Sequence, residues 1–152
     1  MIDYESILKA VNAEIRKETN CIPKEQEAAS KQPKYPFFTY SIISPYLNAK
    51  VFREGNVQIE EVEIVISFTF YSLKSFEVMS LAQRSATMLK STATRQILYD
   101  KGVTVVRIDD LNKRDNFISI QTERRAGFDL RIRIRHSETK SFDHIETITI
   151  GG

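Results

Sequence analysis

The sequence predicts an α+β fold: a single mixed, mostly antiparallel β-sheet, two helices packed on one face, and a protruding hairpin arm. Three observations lead there. Between Phe128 and Arg135 the chain alternates without error, with Phe128, Leu130, Ile132 and Ile134 on one side and Asp129, Arg131, Arg133 and Arg135 on the other. Side chains on a strand point to opposite faces with period two, so this is a strand with one buried and one charged face. Two other stretches repeat their apolar residues at helical spacing. The coarse order is helix, strand, arm, strand, helix, then three or four strands, which suits one sheet carrying its helices on one side.

Residues 3 to 19 form the first helix, with Tyr4, Leu8, Val11 and Ile15 as its stripe and Asp3 as N-cap. Asn20 and the Cys21-Ile22-Pro23 step end it, because a residue before proline is pushed away from helical geometry. Residues 20 to 35 are a loop, polar from Lys24 to Lys34. The aromatic run from Tyr35 to Ile43 gives a strand over 36 to 44, with proline tolerated at its start. Pro45, Asn48 and Glu54-Gly55-Asn56 then mark an exposed arm with a turn near Gly55. Lys50, Arg53, Glu54, Gly55 and Asn56 are its candidate partner contacts.

Residues 57 to 71 are the second strand. Val62, Ile64, Ile66, Phe68 and Phe70 face the core, while Glu61, Glu63, Ser67 and Thr69 face outward. Ser75 is the predicted N-cap of a long helix over 76 to 100, striped by Met79, Ala82, Ala86, Leu89, Ala93 and Ile97 and stopped at Lys101-Gly102. The region 103 to 150 holds the remaining strands: Val103 to Ile108, a polar turn over Asp109 to Asn116, Phe117 to Gln121, the arginine strand, and His144 to Ile150. Two pictures fit the middle of it: a hairpin turning at Arg125-Ala126-Gly127, or one long bent strand.

At 152 residues the chain reads as one domain, long enough for a normal core. Its formal net charge of +2 is too small for nucleic-acid binding by bulk electrostatics, so any basic function must come from local clustering. The single cysteine, Cys21, leaves no intrachain disulfide and makes the cytoplasm the natural compartment. No basic start with an apolar run marks a signal peptide, and no apolar run approaches the roughly 20 residues that span a bilayer, so no membrane partner is expected.

The catalytic inventory is thin, and the chain reads as no enzyme. Neither a phosphate-cradling glycine loop nor a nucleophile or zinc-protease motif occurs. His136, His144 and Asp143 lack ligand spacing, so neither a metal nor a cofactor is expected. The positive signal is the row Arg131, Arg133 and Arg135, with Arg124 and Arg125 upstream. Like charges in a row need screening. The bland reading is a solvated sheet face neutralised by Glu61, Glu63 or Glu123 across neighbouring strands. The sharper readings are a subunit interface or a surface facing nucleic-acid phosphates.

Two segments carry a resemblance. Pro33-x-x-Pro36-Phe37-Phe38-Thr39-Tyr40 after a short N-terminal helix, and Glu123-Arg124-Arg125-Ala126-Gly127-Phe128-Asp129-Leu130 near the C-terminal end, resemble the phage neck and tail terminator proteins over roughly residues 3 to 150. The resemblance implies a mixed sheet with helices on one side and subunits assembled as a hexameric ring. Such a ring closes the top of the tail tube and joins it to the head connector. It implies as partners a tail tube protein, a head-completion or connector protein, and DNA passing through without sequence-specific binding. The location implied is the virion, with assembly in the host cytoplasm. It favours the long strand over the hairpin; Gly127, where a strand would be more comfortable with a larger side chain, points by itself to a bulge there. The alternatives are a head-completion or stopper protein, and a small nucleic-acid-binding module using the arginine row.

Overall fold

A computed structural model of the chain describes residues 1–116 and 123–139. The order is α1 (Tyr4–Thr19), β1 (Ile22–Glu25), β2 (Phe37–Glu54), β3 (Val57–Ser72), α2 (Ser75–Lys90), α3 (Thr92–Asp100), β4 (Val103–Lys113) and β5 (Arg124–Thr139). One five-stranded sheet runs β1-β2-β3-β5-β4, with β1 parallel to β2 and every other pair antiparallel. The strands predicted over 117 to 121 and 144 to 150 lie outside the described residues.

α1 begins where Asp3 predicts it: the Asp3 carboxylate accepts from the Ser6 amide at 3.1 Å and the Ser6 hydroxyl at 2.7 Å. It stops at Asn20, left-handed at φ 57°, whose N–H donates to the Arg16 carbonyl. The predicted loop over 20 to 35 instead contains β1. Four residues are too few to show a period, and Pro23 is tolerated because β1 lies at the sheet edge.

β2 also departs from its expected end at residue 44. It continues to Glu54 through three register irregularities between Ile42 and Lys50. These bulges let Pro45 and the left-handed Asn48 (φ 50°) sit within a paired strand. The predicted turn falls at Gly55-Asn56, where Gly55 at φ 59° supplies the positive angle of a two-residue hairpin loop.

The predicted long helix is two helices. Ser91 is extended (φ −67°, ψ 149°), its hydroxyl donating to the Met88 carbonyl and accepting from the Thr94 amide. The break steps the buried stripe by one residue. Thr94 and Leu98 are buried, whereas the predicted Ala93 and Ile97 are exposed. Ser75 is the first helical residue, not the cap; Lys74 holds the cap position without a side-chain cap bond. Ser72 accepts from the Lys74 amide at 3.1 Å and donates to Glu77 at 2.6 Å.

β5 settles the choice between hairpin and long strand in favour of the strand, paired with β3 in unbroken register from Ser72↔Arg124 to Val57↔Thr139. The expected bulge is at this level of the sheet but on the neighbour. β4 continues past Asp109, replacing the predicted polar turn. It carries an extra residue between Asp109 and Asn112, with Asp110 at φ 55°. Gly127 itself stays in register because β3 crowds it: a Cβ there would lie 2.0 Å from the Phe68 carbonyl oxygen.

The core lies between the sheet and the helices. Val62, Ile64, Ile66, Phe68, Phe70, Phe128, Leu130 and Ile132 are fully buried against Val11, Ile15, Val78, Leu89 and Leu98. Phe38, Phe68, Phe70 and Phe128 form a continuous ring cluster at centroid distances of 5.4 to 6.4 Å. Each such side chain contributes about 3 kcal/mol by leaving water.

Candidate functional site: the charged face of the sheet

Because β3 and β5 alternate strictly, burying their even-numbered apolar residues puts Glu61, Glu63, Arg131, Arg133 and Arg135 together on the face away from the helices. Direct cross-strand partners are Glu61 with Arg135 and Glu63 with Arg133. Arg131 donates to Glu63 at 3.1 Å, Arg133 to Glu63 at 3.0 Å, and Arg135 to Glu61 at 2.9 Å. Arg133 also lies 3.7 Å from Glu61. Thus both glutamates are engaged within the chain, as the bland reading of the row anticipates. The amide of Asn48 donates to Glu63 at 3.0 Å from β2. This bond, opposed by partial burial and reinforced by the two guanidiniums, holds the Glu63 carboxyl below its ordinary range.

Lys50, predicted as an arm residue, belongs to this face as well. It stands opposite Glu61 and lines a cleft of about 350 Å³ with Asn48, Ala49, Glu61, Glu63 and Arg133. Arg53, Glu54, Gly55 and Asn56 lie further out at the end of the β2–β3 hairpin and are exposed. Val51 and Phe52 beside them are 56% and 45% exposed, so this end carries apolar surface in addition to charge.

Glu123, Arg124 and Arg125 are not part of the arginine row. Glu123 accepts from Tyr35 at 2.6 Å and from Arg125 Nε at 2.9 Å, at the opposite end of β5. Arg125 lies 5.0 Å over the Tyr71 ring, which stacks on Phe37 at 4.7 Å. Arg124 meets Asp115 at 3.3 Å. Burial alone would raise the Asp115 carboxyl, but the Arg125 amide and the Arg124 and Lys113 cations lower it. Six residues separate Arg125 from Arg131, roughly 20 Å along a strand.

Arg114, which no sequence signal singled out, lies between the two ends. Its guanidinium donates to Ser67 at 2.7 Å and Asp129 at 3.0 Å, and also reaches the Phe68 carbonyl and Thr69. The missing side chain at Gly127, between Asn112 on one flank and Thr69 on the other, lets it cross β5 to β3. The glycine was the available clue, since a glycine inside an alternating strand marks a close approach.

On the helix-facing side beyond α1, Glu60 accepts from Tyr46 and contacts His136 at 2.7 Å. No group of three potential metal ligands gathers among the described residues, and His144 and Asp143 lie outside them. Cys21 is fully buried, and that burial pushes its thiol up, away from nucleophile character. Among the described residues no helix is long and apolar enough to cross a membrane.

A search of curated proteins found no match. The family model for phage neck terminator protein matches residues 5–152. That span includes the sheet, all but the first residue of α1, and both charged clusters. A structural role at the phage neck, in association with tail and head components of the virion, follows from this membership. The chain belongs to the phage neck terminator protein family.

Proposed function

We propose that the protein forms a ring, hexameric as the family resemblance implies, that caps the phage tail tube, ends tail growth and joins tail to head. The family match over residues 5–152 carries this reading. The mechanism is geometric: each subunit presents one surface to a different surface of the next, and closure of the ring stops polymerisation. Partners are the tail tube protein below and a head-completion or connector protein above, with DNA passing through the centre. Assembly takes place in the host cytoplasm. The end of the hairpin, with exposed Val51 and Phe52 beside Arg53 and Glu54, suits a contact with one of those neighbours.

Mixing the purified protein with growing tail tubes and examining them by electron microscopy tests the proposal. Tubes should acquire a ring at one end and stop lengthening; tubes that lengthen unchecked would sink it. Charge reversal at Arg133 then places the arginine row. Rings that no longer form put it between subunits, and rings that persist put it toward the channel. If a protein lacking residues 50 to 56 still joins heads to tails fully, the hairpin end is not a joining contact.

A further inference from the structure

We infer that the charged sheet face is a polyphosphate-facing surface, matched to the backbone of duplex DNA, which Glu61 and Glu63 hold in a masked, low-grip state. The inference rests on the neck reading only in taking duplex DNA as the polyanion at hand.

The face carries more positive than negative charge. From Lys50 on β2 to Arg107 on β4, its cations are Lys50, Arg107, Arg131, Arg133 and Arg135. Against these five stand Glu61, Glu63 and Asp109, the last paired with Arg107 at 2.8 Å, while Asp129, opposite Asp109 on the same face, is matched by Arg114 at 3.0 Å. Two positive charges are left over. Arg107 and Arg131 are lateral neighbours on adjacent strands, a like-charge pair that costs stability unless an anion lies over it. Arg131 also has a buried Nε–H with no acceptor.

Its shape and composition distinguish a phosphate surface from a subunit contact. Guanidiniums and carboxylates tile this stretch of the face, where Val65 is buried and Leu47 half-buried, and the buried Phe37 lies at the far end against Tyr71, so the stretch lacks the apolar centre that stable protein interfaces bury. Arg133 and Arg135 keep 41% and 64% of their side chains exposed while paired, so their outer N–H groups remain open to solvent. Carboxylates lying between arginines occupy the positions that phosphate oxygens would otherwise take. A lining of this kind attracts a polyanion without holding it, the property needed where DNA must slide past.

Replacing the two carboxylates by their amides tests the masking. Glu61→Gln with Glu63→Gln preserves shape and a hydrogen-bond acceptor while removing two negative charges. Affinity for a random-sequence duplex, read by fluorescence anisotropy at two salt concentrations, should rise about tenfold over the unmodified protein. The slope of log K against log salt should steepen by roughly 2, one unit per cation released to a phosphate. Adding Arg131→Gln, Arg133→Gln and Arg135→Gln should abolish the gain. Glu61→Gln alone, at the more exposed glutamate, should give a smaller gain in the same direction should the double variant fold poorly. Unchanged affinity in both Gln variants, or a gain that survives loss of the arginines, overturns the inference. So does a double variant that loses ring formation with no change toward DNA, which would assign the face to the subunit contact. Rings on tail tubes are scored separately, so failure here leaves the neck reading standing, and the reverse.

Discussion

Gly127 shows how much a single position decides. The Phe68 carbonyl approaches so closely that even a methyl group at Gly127 requires β3 and β5 to move apart, and the same gap admits the Arg114 side chain. Gly127→Ala should therefore destabilise by about 3 kcal/mol, at the upper end for overpacking, because the obstacle is backbone. A urea midpoint within error of the parent's would refute this account. Glu63 gives a second prediction, in pH. Its folded-state pKa lies below its unfolded value, so the unfolded chain takes up the proton first as pH falls. The stabilisation is full above the unfolded carboxylate value, about 4.3, and drains away as pH drops through the lower folded value. Melting temperatures between about pH 7 and pH 3 should fall less steeply in Glu63→Gln than in the parent. Parallel curves would show that the carboxylate's ionisation contributes nothing.

At the scale of elements, legibility followed periodicity. β5 and the inner half of β3 could be read residue by residue, because alternation over eight or more positions leaves one register that buries Phe128 to Ile134. α1 was equally plain, its cap and stripe agreeing. β1 was invisible, since four residues with a proline carry no period, and β2 was cut short because Pro45 and Asn48 look like a strand's end unless bulges absorb them. The α2–α3 break was missed because alanine at position 93 continues the stripe, whereas the local bonds of Ser91 decide the backbone there. Of the charged cluster, the five residues on β3 and β5 were legible from phase alone. Lys50 and Arg114 were not, as each arrives through an irregular strand. These irregularities also predict dynamics. β4 covers β5 only as far as Ile134, and β2 is mostly exposed beyond Ser44. Amides of residues 50 to 58 should exchange with deuterium well before those of 62 to 70, and equal protection of the two segments would contradict that gradient.

The whole molecule joins these elements through one apolar cluster. Residues from α1, β2, β3, α2, α3, β4 and β5 all enter it. Among the described residues these seven elements bury their apolar faces against one another, so none of them has an independent reason to stay folded once the sheet separates from the helices. The charged face adds little to this balance, because ion pairs that remain partly exposed contribute at most about 1 kcal/mol each. Most of the cohesion thus resides on the helix-facing side of the sheet and the arginine row on the other, which lets the arginine face be altered without dismantling the fold. Two consequences can be measured together. Far-ultraviolet circular dichroism and tyrosine fluorescence should trace a single, coincident urea transition, as expected for one cooperative unit. Arg131→Gln with Arg135→Gln should shift that transition by no more than about 1 to 2 kcal/mol, whereas Phe68→Ala should shift it by about 3 to 5. Separated transitions for the two probes, or a larger loss from the arginines than from Phe68, would mean that the outer face helps hold the molecule together.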